Sequence, residues 1–134
     1  MVPSQTHILV VDDEKGIRDY LHSVFKDAGF RVTCAADGYS ALGVIRRELV
    51  DLTIIDVDIP GPSDGLEMVK TARAERPELK AVFISAVAEP PAHSAYQDDF
   101  ISKPFYGKEI LGCVYKLLLH GHQPIAQKGL RSAA

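Results

Sequence analysis

Apolar positions along the chain alternate between two spacings. Short continuous runs occur at His7–Val11 and Leu52–Ile55, and again at Lys80–Ser85. Runs of this length, rich in β-branched residues, read as strands buried on both faces of a parallel sheet. Between them the spacing changes to i, i+3, i+4, i+7, the signature of one buried helix face. Ile17, Tyr20, Leu21, Val24, Phe25 and Ala28 place a helix over about Glu14–Ala28, ended by Gly29. Ala41, Leu42, Val44 and Ile45 place a second over Gly38–Glu48. A third is expected over about Leu66–Glu75, stopped by Pro77, and a last one over roughly Tyr106–Leu119. Arg31–Ala35 reads as a shorter, more polar strand nearer a sheet edge, and Asp99–Ser102 as a short fifth strand. Pro60 to Gly65 is a turn rich in punctuation residues. His120–Ala134 lacks periodicity and is expected to be a flexible tail, leaving 1–119 as one domain.

Repeated strand–helix units in one short domain predict a doubly wound parallel sheet with helices on both faces. The expected strand order is 2-1-3-4-5, which sets strands one and three side by side. Both of those strands run into acids: the first into Asp12-Asp13, the third into Asp56 with Asp58 two residues on. A charge directly after a buried run belongs at the strand's exposed end, and in parallel α/β sheets that end is where ligands bind. Carboxylates gathered there repel one another unless a cation lies between them. The pattern therefore points to a hard-metal site with an aspartate free for chemistry.

Composition narrows the classes without changing that picture. The 134 residues are 46% hydrophobic and 25% charged, ordinary for a globular protein. A net charge of −3 argues against nucleic acid as the main partner. The apolar runs fall far below the ~20 residues of a membrane span, and Met1–His7 has no secretory pattern, so a cytoplasmic location is expected. Cys34 and Cys113 are too few for a disulfide framework and read as reduced core or helix-face thiols.

Two further strand ends complete the set. Ser85 closes the fourth strand, and Lys103 follows the fifth, with Pro104-Phe105 after it. Asp12-Asp13, Asp56 four residues before Pro60, Ser85-Ala86 and Lys103-Pro104-Phe105, in that order, resemble the receiver domain of two-component response regulators. The resemblance covers about residues 6–119. It implies a flavodoxin-like (βα)5 sandwich and a phosphoacceptor role for Asp56. The phosphoryl group would come from phosphohistidine on a sensor histidine kinase or a histidine phosphotransfer protein. It implies that Asp13 and Asp56 bind Mg²⁺ (or Mn²⁺) directly, Asp12 mainly through water, and Asp58 by its backbone carbonyl. Lys103 would act on the phosphoryl oxygens, Ser85 would hydrogen-bond one of them, and Phe100 would occupy an aromatic switch position and turn inward with Ser85. Asp12 or Asp13 can also cap the helix that follows.

Two stretches depart from the family pattern. The Pro60–Asp64 loop looks one residue longer than the commonest form, with Pro62 and Ser63 where many have a single apolar residue. The span between Ser85 and Lys103 is about one helical turn short, and Pro90-Pro91 confine any helix there to begin at them. A short, displaced or mobile fourth helix is expected, which disfavours the family's common dimer through that region. Ile110, Leu111, Cys113, Val114, Tyr115, Leu117, Leu118 and Leu119 wrap more than one face of the last helix, so a surplus could pack on a protein partner or a second copy.

The leading expectation is a signalling module without turnover beyond its own slow dephosphorylation, acting through a protein output partner. Two alternatives stand beside it. Asp56-Val57-Asp58 resembles the DxD motif of haloacid-dehalogenase-type Mg²⁺ phosphatases, although in those the motif lies on the first strand and Asp12-Asp13 has no role. A flavodoxin-like cofactor binder would want a glycine-rich loop after strand one, where this chain is acidic.

Overall fold

A computed structural model describes residues 6–58, 65–86 and 98–120. The elements are β1 (His7–Val11), α1 (Lys15–Asp27), β2 (Arg31–Ala35), α2 (Gly38–Arg47), β3 (Leu52–Asp56), α3 (Gly65–Glu75), β4 (Lys80–Ser85), β5 (Asp98–Ser102) and α4 (Gly107–His120). The expected longer loop at 60–64, the shortened segment at 87–97 and the tail from 121 onward lie outside the described residues.

The five strands form one parallel sheet in the order β2-β1-β3-β4-β5, as the alternation predicts. The register sets Val11 beside Ile55, and Asp56 beside Ile84. All residues of β1, β3 and β4 are buried, which explains their unbroken apolar runs. The outer strands β2 and β5 are only partly covered.

Alternate residues of the central strands feed two cores. Leu9, Val11, Ile55 and Phe83 join Ala41, Ile45, Met68 and Ala72 from α2 and α3. Ile8, Val10, Ile54 and Ile84 join Leu21, Phe25, Ile110 and Val114 from α1 and α4 on the other face. On α4, Ile110, Val114 and Leu117 are buried, whereas Tyr115 and Leu119 keep 36% and 62% exposure, so the helix does carry apolar surface beyond what the sheet covers. Among the described residues no helix is long and apolar enough to cross a membrane.

Boundaries follow local chemistry. α1 ends where Gly29 takes φ +95°, letting the N–H groups of Gly29 and Phe30 return to the carbonyls of Lys26 and Phe25 at 2.9 and 3.0 Å. α2 begins after Asp37, whose carboxylate accepts the N–H of Ser40 at 2.7 Å. Cys34 departs from expectation. It sits exposed on the edge strand β2 rather than in the core, because β2 has a neighbour on one side only. Cys113 is a half-buried thiol on α4, pushed up to about 11 chiefly by burial, with the Asp99 carboxylate adding to it.

Both edge strands begin at ion pairs. Arg31 of β2 pairs with Glu48 at 2.6 Å. Asp98 of β5 pairs with Arg73 from α3, and Asp99 pairs with Lys116 from α4 at 2.8 Å. The Arg73 guanidinium also donates twice to the Leu79 carbonyl, at 3.0 and 2.8 Å.

Candidate functional site

The carboxyl ends of β1 and β3 meet where the strand order reverses, and the acids that follow them converge there. Asp12, Asp13, Glu14 and Asp56 each place one carboxylate oxygen within 4.8 Å of the others. Asp12 and Asp56 are 0% and 2% exposed, while Asp13 and Glu14 face solvent. Two buried and two open carboxylates make a cup rather than a sealed cavity.

Asp12 is the strained member. Its Oδ1 accepts the N–H of Glu14 at 2.9 Å, just before α1 begins. Its Oδ2 is buried with no hydrogen-bond partner among the described residues. Burial pushes the Asp12 carboxyl up to about 6. The Glu14 N–H and the Lys103 charge pull it back, and the charges of Asp56 and Asp13 push it further. An orphaned buried carboxylate oxygen is costly. Beside three more carboxylates it is the feature a divalent ion would relieve, and an all-oxygen donor set suits Mg²⁺. The residues present therefore fit such an ion.

Lys103 stands opposite. Its Nζ donates to Asp56 Oδ2 at 2.8 Å and to Glu14 Oε1 at 3.3 Å, and lies 3.9 Å from Asp12 Oδ2. Burial alone would lower this ammonium, but the Asp56 hydrogen bond and the surrounding carboxylates outweigh it and hold Lys103 at about 12. The peptide between Lys103 and Pro104 is cis. The Lys103 N–H donates to the Ser85 carbonyl at 2.9 Å, fastening the ends of β4 and β5 together.

The other residues singled out from sequence lie nearby. Ser85 is buried at the last position of β4, next to the register partner of Asp56. Asp58 donates its N–H to Asp56 Oδ1 at 2.8 Å, and its exposed carboxylate stands outside the acidic cluster. Phe100 is half-buried and lies against its register partner Phe83, ring centroids 5.1 Å apart and planes 21° from parallel.

Three residues escaped the sequence reading. Glu14 joins the cluster and shares Lys103, and its place directly after Asp12-Asp13 was the available signal. Arg18, one turn into α1, donates to the Asp12 carbonyl at 2.8 Å. Gly65 starts α3 against the end of β3: a Cβ there would lie 2.5 Å from the Asp56 carbonyl oxygen and 2.9 Å from Val57 Cα. Neither backbone can yield cheaply, so Gly65→Ala should cost about 1–3 kcal/mol, the usual range for overpacking. Denaturant unfolding checks this, and an unchanged midpoint would show that α3 can move aside.

Beside the cup runs a groove of about 350 Å³, lined by Glu14, Gly16, Ile17, Tyr20, Lys103, Pro104 and Phe105. Its floor is held by the Tyr20 hydroxyl, which accepts the Gly107 N–H at 2.8 Å and ties α1 to the start of α4.

Comparison with known proteins agrees with this geometry. A family model described as the response regulator receiver domain matches residues 8–115. The response regulator SaeR of Staphylococcus aureus is 27% identical over 130 residues, which take in 91% of this chain and 56% of SaeR. The chain thus spans about half the length of the curated relatives it matches. Among solved structures, a CheY-like receiver domain protein from Methanospirillum hungatei superposes with a TM-score of 0.79 at 26% identity, over 87% of this chain and 95% of that one. The response regulator TrrA of Thermotoga maritima, solved in complex with Mg²⁺-BeF, gives 0.76 at 30% identity, over 84% and 99%. With the strand order, the acidic cup and the family match in agreement, the chain belongs to the response regulator receiver domains of two-component signalling systems.

Proposed function

We propose that this domain receives a phosphoryl group on Asp56 from the phosphohistidine of a sensor histidine kinase or a histidine phosphotransfer protein. The observation that carries this reading is the placement of Asp56. Its carboxylate is buried at a strand end, 2.8 Å from the Lys103 ammonium, beside a second buried carboxylate with an orphaned oxygen. Asp12, Asp13, Asp56 and the Asp58 carbonyl would hold Mg²⁺ (or Mn²⁺). That ion supplies charge neutralisation, so that an anionic nucleophile can approach an anionic phosphorus.

The chain's own residues do the rest. An Asp56 oxygen forms a bond to phosphorus as the donor's P–N bond breaks, and the electron pair of that bond stays on the imidazole ring. Lys103 sits where charge builds on the transferred oxygens. Ser85 offers its hydroxyl to one of them. Phe100, resting on Phe83, supplies the apolar element that moves with Ser85. The groove lined by Ile17, Tyr20 and Phe105 gives the donor protein a surface beside the acceptor. Each domain takes one phosphoryl group and hydrolyses it slowly, in the cytoplasm, handing the signal to a protein output partner.

The test is incubation with Mg²⁺ and acetyl phosphate followed by intact mass. One added phosphoryl group per chain is expected, lost when EDTA is present. No gain, or release of many equivalents of phosphate, would overturn the reading.

A second copy is also proposed to pack on the outer face of α4, where Tyr115 and Leu119 are exposed and Tyr115 leans on Phe30 at 5.9 Å. Solution mass with and without a phosphate mimic checks this, and a strict monomer in both states counts against it.

A further inference from the structure

The outer face of α4 carries a glycine that packing within the chain does not explain. Gly112 is exposed in the middle of the helix, and a Cβ placed on it meets nothing within 4 Å. Glycine at such a position weakens a helix relative to alanine, and no neighbour in the chain uses the space it leaves. Gly107 is different, because a Cβ there would lie 2.9 Å from the Tyr20 hydroxyl oxygen. Lys108, Gly112, Tyr115 and Leu119 are all exposed and recur at intervals of four, three and four, the spacing of a seam between two helices. Glu109 and Lys116, exposed beside them, are engaged within the chain by the Tyr106 N–H and the Asp99 carboxylate. The Tyr115 ring is steadied by Phe30, centroids 5.9 Å apart.

We propose that a second copy of the chain packs antiparallel on α4, with Tyr115 of each copy seated in the space above Gly112 of the other, and Lys108 of each lying along Leu119 of the other. The arrangement rests on the reading that a second copy covers this face, and adds its direction and register. Volume and charge both choose that direction. A twofold axis that reverses the seam sets its largest side chain over its smallest, so the gap at the glycine is filled. It also brings Lys108, from the first turn of one helix, to the carboxyl end of the other, where the backbone dipole favours a cation. A parallel pairing would set Lys108 against Lys108 and Gly112 against Gly112, a repulsion and an unfilled gap. A seam of four residues is small, so the dimer is weak and depends on concentration.

Sedimentation of the full chain over a range of concentrations, with and without Mg²⁺ and beryllofluoride, should show a monomer–dimer equilibrium. Gly112→Ala should weaken that equilibrium about tenfold, within the usual cost of overpacking. The same substitution should raise the melting temperature of the monomer, because alanine is the better helix former and its methyl group meets nothing in its own chain. Opposite signs in the two measurements separate a contact between copies from a role inside the fold. Direction is read by NMR on a mixture of ¹⁵N-labelled unaltered chain and unlabelled chain carrying a nitroxide at Leu119→Cys, with Cys34→Ser and Cys113→Ser in the nitroxide copy. Broadening centred on the Lys108 amide is expected. A strict monomer in both states would overturn the arrangement together with the second-copy reading. A dimer that Gly112→Ala leaves unchanged, or broadening centred on the Leu119 amide, would overturn the arrangement and leave the second-copy reading standing.

Discussion

Asp56→Asn should take up no phosphoryl group under conditions in which the unaltered protein gains one. The substitution keeps the shape of the side chain and one oxygen that can still accept the Asp58 N–H. It removes the negative charge that makes the oxygen a nucleophile, and an amide is not a usable attacking group toward phosphorus at neutral pH. The expected result is complete loss by intact mass, not a reduced rate. A gain that persists in Asp56→Asn would place the phosphoryl group elsewhere, with Asp13 the first position to examine. The same variant should leave the metal-free fold intact or improve it. Asp56 is 2% exposed within 4.8 Å of three other carboxylates, so neutralising it relieves repulsion, and the Lys103 ammonium that it gives up at 2.8 Å keeps Glu14 at 3.3 Å as a partner. A higher melting temperature together with lost uptake would separate chemistry from folding. A variant that failed to fold would contradict the electrostatic account of the cup.

Lys103→Met should have the second largest effect, and it has two parts. Methionine retains most of the stem's bulk but not the ammonium that faces Asp56 at 2.8 Å and Glu14 at 3.3 Å. Phosphoryl uptake from acetyl phosphate should slow by roughly two orders of magnitude, the usual cost of removing one preorganised group from developing negative charge. In the metal-free protein the same change leaves buried carboxylates without a cation. Losing one partner of a fully buried pair costs about 3–5 kcal/mol. Here the Lys103 side chain keeps 21% exposure, so the pair is not fully buried. A destabilisation of about 1–3 kcal/mol is therefore expected, at the scale of an unsatisfied polar group. Mg²⁺ should narrow the gap, because the ion supplies the neutralisation that the lysine no longer gives. Thermal unfolding with and without Mg²⁺ reads this directly. A gap that Mg²⁺ does not change would mean that Lys103 acts on stability through packing alone.

Much of the scaffold was legible in the chain because its signals are local. Continuous β-branched runs such as Ile8–Val11 arise when both faces of a strand are covered, and the helices between them repeat their apolar residues at the spacing of one face. The strand ends could be read because charge next to such a run has few places to go. What stayed hidden depends on residues distant in sequence. Glu14 looks like an ordinary first-turn acid until Lys103 is seen beside it. Gly65 looks like one more turn residue until the Asp56 carbonyl lies against the place its Cβ would occupy. Arg73 and Asp98 look like two solvated charges, yet they join α3 to the start of β5. Cys34 lies outside the core although a thiol in a strand suggests one, because β2, an edge strand as its polar sequence suggests, leaves that side chain uncovered.

Those ion pairs at the sheet margins carry one more consequence. A parallel sheet that ends at β2 on one side and β5 on the other presents two rows of unsatisfied backbone groups, each a template onto which another chain could grow. Here β2 starts at Arg31, held by Glu48, and β5 starts at Asp98 and Asp99, held from opposite faces of the sheet by Arg73 and Lys116. A foreign strand laid along either margin would have to part these charges and remove them from water. The domain thereby resists edge-to-edge aggregation at high concentration, a property set by three charged pairings far from the acidic cup.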